Sequence, residues 1–307
     1  MPNYKLTVEY DGTRYRGWQT QKNTDRTVAA VLERAASGLF GEPVRMTGAG
    51  RTDAGVHALA QVANFRAARR LAGIEVQYGI NDALPSDVNV LSAEEADPAF
   101  HARHDAVSRE YEYRISRVRT AFEKPFVWWV RDALDAGAMG EAAARFAGDH
   151  DFSSFCENPA GQTSTRVRVE RCEVVEQGSK ILLRVAASHF LWKMIRRMTG
   201  TLVEVGRGKL PGDAIPALLA RPSREPARWT APPSGLFLAC VVYSGTASRP
   251  DARTASRSDA RTVSRSDART VARSDAPTAS RPDARIASRP KPPAGRGPRR
   301  PPGGRRP

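Results

Sequence analysis

The stretch GAGRTDAGVH, at residues 48–57, is the most informative part of this sequence. It has the glycine content of a phosphate-binding loop. However, the dinucleotide pattern GxGxxG requires glycine where Asp53 stands, and a P-loop requires Gly-Lys followed by Ser or Thr. A carboxylate at that position would repel a phosphate, so the loop does not predict a nucleotide cofactor. The small residues around Asp53 would let a bulky substrate approach the backbone.

The local chemistry of this loop leaves two interpretations of Asp53 open. An aspartate in a glycine-rich loop ordinarily satisfies the polar groups of a turn. Alternatively, Arg51, two positions earlier, would keep the carboxylate ionised for catalysis.

Hydrophobic periodicity on either side of the loop predicts short strands and helices in alternation. Residues 4–10 alternate apolar and polar side chains, as in a half-buried strand, and residues 28–39 repeat apolar side chains at helical spacing. The same patterns predict further strands at residues 44–47, 60–65, 88–91, 111–115, 167–175, 181–187 and 236–243, and further helices at residues 70–84, 135–147 and 191–205.

This order of elements predicts an α+β fold built from two α/β domains with mainly antiparallel sheets. We expect an N-terminal domain at residues 1–105, which carries the Asp53 loop, and a second domain at residues 106–245. The second half loosely repeats the strand and helix content of the first.

Residues 246–307 form a basic tail of degenerate octapeptide repeats, beginning SRPDARTA and SRSDARTV. The tail carries 16 Lys and Arg against five Asp, and so holds +11 of the net charge of +15. It has almost no large apolar residues, which predicts disorder. The tail is either a nonspecific electrostatic arm for RNA or a repeat expansion without a defined role.

The remaining composition indicates a soluble cytoplasmic protein without a metal. The three cysteines, an odd number, have no CxxC spacing, which indicates thiols in a reducing compartment rather than a disulfide framework or a zinc site. The N-terminus has no signal-peptide pattern, and no apolar run is long enough to cross a bilayer.

Several sequence blocks together resemble the TruA family of tRNA pseudouridine synthases over about residues 4–243. GAGRTDAGVHA, at residues 48–58, resembles the active-site loop of that family. The other matching blocks follow in the family's order: YDG at 10–12, YRGWQ at 15–19, FHAR at 100–103, REYEY at 109–113, DFSSF at 151–155, FLWKMIRRMTG at 190–200 and GL at 235–236.

The resemblance implies a cofactor-free isomerisation in which uridine is detached from its sugar, turned and rejoined through C5. Asp53 matches the catalytic nucleophile, and a carboxylate suits the oxocarbenium character that develops at C1′. Tyr111 matches the tyrosine that stacks on the target base, although an alternating strand also fits a core tyrosine. Arg196 matches an arginine that pairs with the nucleophile; its position alone would indicate a solvated helix residue.

The resemblance also nominates residues that bind the RNA. Arg51 matches the arginine beside the nucleophile and would fill the space left by a flipped nucleotide. The other expected substrate-binding residues are Arg103, Trp18, His57 and Leu236, and further candidate RNA contacts are Arg14, Arg16, Lys193 and Arg197. The chain departs from the family at Arg197, where asparagine is usual, and at Glu110, where bases are common.

The expected architecture is a pseudouridine-synthase core with Asp53 in a basic cleft between the two domains. The expected substrate is the anticodon stem-loop of several tRNAs, modified at positions 38–40, and the expected assembly is a homodimer in which one tRNA touches both subunits. Two alternatives are a pseudouridine synthase for other RNA positions and a non-catalytic RNA-binding protein of the same fold.

Overall fold

A ten-stranded sheet forms the centre of the structure, a computed structural model that describes residues 1–244. The strands are β1 (Asn3–Tyr10), β2 (Thr47–Gly48), β3 (His57–Arg66), β4 (Val88–Ala96), β5 (Ala106–Ser116), β6 (Trp128–Trp129), β7 (Gly148–Asp151), β8 (Arg166–Gln177), β9 (Lys180–Ala187) and β10 (Leu236–Tyr243). The helices are α1 (Val28–Phe40), α2 (Gly73–Asn81), α3 (Ala136–Ala144), α4 (Met194–Gly206), α5 (Ala214–Ala220) and α6 (Glu225–Arg228).

The main path of the sheet runs β4-β1-β3-β10-β5-β9-β8-β7, with β2 paired to β3 and β6 paired to β5. All strand pairs are antiparallel except β10 with β3 and β5 with β6. The predicted α+β class with mainly antiparallel pairing is therefore confirmed.

The last strand, β10, lies in the middle of the sheet and joins its two halves. On one side it runs parallel to β3 near His57, and on the other it pairs antiparallel with β5. Strands from residues 1–105 lie on the first side and strands from residues 106–187 on the second. The proposed domain boundary thus falls in the loop between β4 and β5, although one compact unit contains both halves. The division into two domains stays a prediction.

Helix α1 shows how local sequence sets an element. Its first turn is capped by Thr27, whose hydroxyl oxygen accepts a hydrogen bond from the Ala30 backbone N–H, and it ends at Gly41, where φ is 72°. The apolar face between these ends packs into the main hydrophobic cluster with β1 and β3. Helices α1 and α2 pack against each other, and α3 packs on both β8 and α4.

Most predicted elements are present, although many differ in their bounds. The strand expected at residues 44–47 is only the two-residue β2, and the helix expected at 70–84 is the shorter α2. The helix expected at 191–205 begins at Met194, because Lys193 takes a left-handed conformation with φ of 61°. The predicted tail at residues 246–307 lies outside the described residues. Within residues 1–244, no helix is long and apolar enough to span a membrane.

Candidate active site

A pocket of about 750 Å³ lies where the Asp53 loop faces the start of α4. Both halves of the sheet contribute residues to its walls. Among the described residues that line it, six are basic and Asp53 is the only acid; the basic ones are Arg16, Arg51, Arg103, Arg109, Lys193 and Arg196. The pocket is therefore suited to a polyanion that brings one neutral base towards a carboxylate.

The Asp53 loop is held by the first strand and the segment that follows it. The Trp18 backbone N–H donates to the Thr52 carbonyl oxygen at 3.1 Å, and the Gly55 N–H donates to the Tyr15 carbonyl oxygen at 3.3 Å. The hydroxyls of Tyr10 and Thr52 are hydrogen-bonded at 2.8 Å. Asp53 is thus flanked by fixed backbone on both sides, and its side chain keeps 27% of its surface exposed.

Close approach of the two segments requires glycine at position 17. Gly17 has φ of 97°, and a Cβ there would lie 2.6 Å from the carbonyl oxygen of Thr52. The loop that precedes the carboxylate is tied to β3 in a similar way: the Gln61 amide bonds both the N–H and the carbonyl of Gly50.

Arg196, from the first turn of α4, faces Asp53. Its Nη1 lies 3.4 Å from Asp53 Oδ2, while its Nε donates to the carbonyl oxygen of Ala231 at 2.7 Å. The Ala231 N–H in turn donates to the Arg196 carbonyl oxygen at 3.0 Å. This exchange fixes the guanidinium, which is 15% exposed, so that one edge remains for the carboxylate. Sequence position alone would have indicated a solvated residue.

Tyr111 forms one wall of the pocket. Its ring meets Phe190 edge-on with the ring centroids 4.9 Å apart, and the residue is largely buried. Burial, followed by the nearby Tyr10 and Asp53, raises the pKa of the Tyr111 phenol well above its usual value. The phenol therefore stays protonated at neutral pH.

Arg109 is a buried cation in the lining of the pocket that sequence reasoning did not single out. Its guanidinium donates to four backbone carbonyl oxygens, those of Ala106, Ser188, Ala49 and Arg103. Through these bonds Arg109 connects the loop that precedes Asp53 to the residues at the start of β5 and to the residue that follows β9. Burial lowers the pKa of Arg109 from its usual value. The sequence did carry one signal for this role: Arg109 shares the inward face of its alternating strand with Tyr111 and Tyr113.

Besides Tyr111, five of the expected RNA contacts line the pocket: Arg16, Arg51, Arg103, Lys193 and Leu236. Arg51 and Arg103 are exposed, and the buried Leu236 also contributes to the lining. Like Arg16, Arg51 and Arg103 form no ion pair with any carboxylate of residues 1–244. These cations are therefore available to a phosphate backbone.

Trp18 and His57 are buried and do not line this pocket, whereas a residue that contacts the substrate must line it. Trp18 is 2% exposed, and its indole covers Gly48. His57 is 1% exposed; its Nδ1 accepts from the Gly12 N–H, and its Nε2 lies 2.9 Å from the Pro125 carbonyl oxygen. Both side chains support the Asp53 loop from behind, which corrects the expectation that they bind RNA directly.

Arg197 also differs from the RNA contact expected of it. It is buried and pairs with Glu157, and the same carboxylate bonds Lys193 Nζ at 2.9 Å. Arg14, although exposed, is paired to Asp87. Of the additional arginine candidates, the structure leaves only Arg16 unpaired and at the pocket.

One known protein family matches most of this chain. The sequence model of the tRNA pseudouridine synthase family matches residues 6–105 and 142–244. The chain belongs to the tRNA pseudouridine synthase family.

Full-length relatives support the same assignment. A protein of Pelobacter propionicus named tRNA pseudouridine synthase A is 45% identical over 246 residues, which cover 79% of this chain and 100% of that protein. A protein of the same name from Acetivibrio thermocellus is 42% identical with the same coverage. A tRNA pseudouridine synthase A 2 from Bacillus cereus is 37% identical over 245 residues, again 79% of this chain and all of the relative. The predicted family and its enzyme class, an isomerase, are thereby confirmed.

The site of this tRNA pseudouridine synthase family member brings together a carboxylate, a fixed guanidinium and a buried phenol. The structure places Asp53, Tyr111 and Arg196 in one pocket, as the resemblance led us to expect. A carboxylate that is partly exposed at the bottom of a basic pocket can attack an electrophilic sugar carbon. Within residues 1–244, no group of three or more His, Cys, Asp or Glu side chains could hold a metal ion.

Proposed function

We propose that this chain converts uridine to pseudouridine at positions 38–40 of the anticodon stem-loop of tRNAs, with Asp53 as the nucleophile and without a cofactor. The observation that carries the proposal is the Asp53–Arg196 pair, 3.4 Å apart, in a pocket whose other charged side chains are basic. Relatives that align over their whole length are named tRNA pseudouridine synthase A.

The reaction begins with attack of an Asp53 carboxylate oxygen on C1′ of the flipped uridine, which breaks the N1–C1′ bond and releases a uracil anion. The base turns in the pocket, and its C5 bonds to C1′ as the Asp53–C1′ bond breaks. Loss of the C5 proton and protonation of N1 complete the isomerisation. No atom is gained or lost, so no cofactor is required.

Arg196 and Tyr111 have separate roles in this scheme. The Arg196 guanidinium, fixed by the Ala231 carbonyl, orients the carboxylate and stabilises it as an anion in the pocket. The Tyr111 ring, held edge-on by Phe190, stacks on the target base. Because the phenol stays protonated, it acts as a hydrogen-bond donor before any proton transfer.

RNA recognition in this proposal depends on backbone and shape. Arg16, Arg51 and Arg103 have no carboxylate partner within residues 1–244 and would contact phosphates, while the Arg51 side chain fills the space of the flipped nucleotide. We also propose that the protein acts in the cytoplasm as a homodimer in which one tRNA touches both subunits; both proposals follow from the family resemblance.

The experiment is pseudouridine mapping on unmodified tRNAs with the wild type and with Asp53→Asn. Product at positions 38–40 with the wild type, and none with a folded Asp53→Asn that still binds tRNA, would support the proposal. Product at other positions would favour a synthase of different site preference. Binding without product in both proteins, on several tRNAs, would favour a non-catalytic RNA-binding protein.

A further inference from the structure

Trp192 presents a large aromatic face at the edge of the active-site pocket. It is 50% exposed, whereas the adjacent Leu191 is buried in the hydrophobic core. Trp192 is also one of the residues that line the pocket. An exposed indole beside a substrate site is typical of a residue that binds a ligand.

The backbone around Trp192 is held in a costly conformation. Lys193 is the only non-glycine residue with positive φ among residues 1–244, at 61°. A strained backbone conformation persists only where contacts with surrounding residues hold it, and such conformations are concentrated at functional sites. Here Glu157 supplies the restraint: its N–H donates to the Trp192 carbonyl oxygen at 3.0 Å, and its carboxylate accepts from Lys193 Nζ at 2.9 Å.

Glu157 is itself fixed. Its carboxylate also pairs with the buried Arg197, so one acid connects the turn before α4 to the helix. The hydrogen bond from Lys193 and the charge of Arg197 hold the pKa of Glu157 below its usual range, so the carboxylate is ionised at neutral pH. Arg197 thus holds the acid that bonds Lys193 and whose backbone N–H contacts the Trp192 carbonyl.

The surroundings of the indole match single-stranded RNA. Lys193 Nζ lies 5.4 Å from the Trp192 ring centroid, and Arg16, without an ion pair within residues 1–244, lines the same pocket. Aromatic faces interleaved with cations bind unpaired bases and their phosphates together. Phe190 is already in contact with Tyr111, the residue assigned to the target base, which leaves Trp192 for a neighbouring nucleotide.

We propose that Trp192 is a stacking platform for an unpaired base that flanks the target uridine, with Arg16, which has no ion pair within residues 1–244, in the same pocket to meet the adjoining phosphate. The proposal rests on the proposed function, because it assumes that the uridine enters next to Tyr111. It assigns a second base position to this enzyme and makes Trp192 a determinant of which RNA segments bind.

The test compares the tRNA affinity of Trp192→Ala and Trp192→Phe with that of the wild type. Loss of the stack should raise the Kd of Trp192→Ala for unmodified tRNA about 5- to 150-fold, and lower the single-turnover rate at saturating tRNA by a smaller factor. Trp192→Phe should recover most of the affinity. Trp129→Ala is the matched control, because Trp129 is 40% exposed beside Arg119 but does not line the pocket, and its Kd should equal that of the wild type.

The stacked base is identified with RNAs that carry one abasic nucleotide on either side of the target. At one such position the abasic site should weaken wild-type binding as much as Trp192→Ala does, and should weaken Trp192→Ala no further. An unchanged Kd for a folded Trp192→Ala, or no abasic position whose effect depends on Trp192, would overturn the proposal. The Kd measurements read binding alone, so absence of pseudouridine formation by the wild type would count against the proposed function separately.

Discussion

Arg196 Nη1 lies 3.4 Å from Asp53 Oδ2, a contact between residues 143 positions apart. The contact exists only when the N-terminal loop and helix α4 are both in place. It links the two halves of the sheet at the point where the reaction is proposed to occur, and it makes the arginine as testable as the nucleophile.

Substitution of Arg196 should lower the rate without abolishing binding. Arg196→Met removes the cation that orients Asp53, and loss of one such group costs roughly 10²–10³-fold in rate. Arg196→Lys keeps the charge but lacks the planar fork that serves both Ala231 and Asp53, so an intermediate rate is expected. Single-turnover rates at saturating tRNA are the measurement. Wild-type rates in both folded variants would show that the pair is structural only.

Tyr111→Phe should separate stacking from the hydrogen bond that the phenol donates. The ring and its contact with Phe190 remain, so the Kd for tRNA should change by less than about 3-fold, while loss of the hydroxyl as a donor lowers the rate about 10²-fold. Because burial raises the pKa of the phenol, the wild-type rate should show no rise from its ionisation between about pH 7 and pH 9. A rise in that range that disappears in Tyr111→Phe would contradict the assignment.

Gly200→Ala should destabilise the protein, whereas the same substitution at Gly38 should stabilise it. A Cβ at Gly200 in α4 would lie 1.4 Å from the Trp229 carbonyl oxygen, and overpacking of this kind costs about 1–3 kcal/mol or more in the free energy of unfolding. A Cβ at Gly38 in α1 meets nothing within 4 Å, so Gly38→Ala should add about 0.5–1 kcal/mol. Urea unfolding compares the two. An equal free energy of unfolding for the two variants would mean that the backbone at Trp229 shifts without cost to make room for the methyl group.

The free energy of unfolding should fall as pH drops below about 6.5, partly through His57. Burial lowers the pKa of His57, so the unfolded chain takes up a proton that the folded chain does not. Protonation would also remove the lone pair with which Nδ1 accepts from Gly12. His57→Asn should flatten the pH dependence between about pH 5 and pH 7, with a residual slope from His189, whose pKa is lowered by burial as well. An unaltered slope in His57→Asn would exclude this origin.

Local patterns predicted some strands closely but misplaced the start of one helix. The prediction of residues 236–243 as a strand coincides with β10, because a short continuous apolar run that follows Gly235 is a local signal of a buried strand. The start of α4 was predicted three residues early, since the left-handed turn at Lys193 depends on Glu157, which lies 36 residues away in sequence.

The residues of the site could be predicted only from motifs that match the family, and not from their local sequence. Asp53 stood out in its loop, but nothing near Arg196 in sequence indicates its partner, and the family resemblance supplied that assignment. Trp18 and His57 belong to the same motifs, yet they are buried because motif residues also include those that hold the loop. Trp192 was missed because a single aromatic next to a lysine does not reveal whether it faces the core or the solvent.

The central place of β10 has a consequence for biosynthesis. Strand β10, which lies between β3 and β5, is the last strand among residues 1–244, so a ribosome must synthesise almost all of residues 1–243 before β3 and β5 acquire their shared neighbour. Contacts between such distant segments form slowly. Nascent chains that stop short of Leu236 would lack that pocket-lining residue together with the strand that joins the two halves of the sheet.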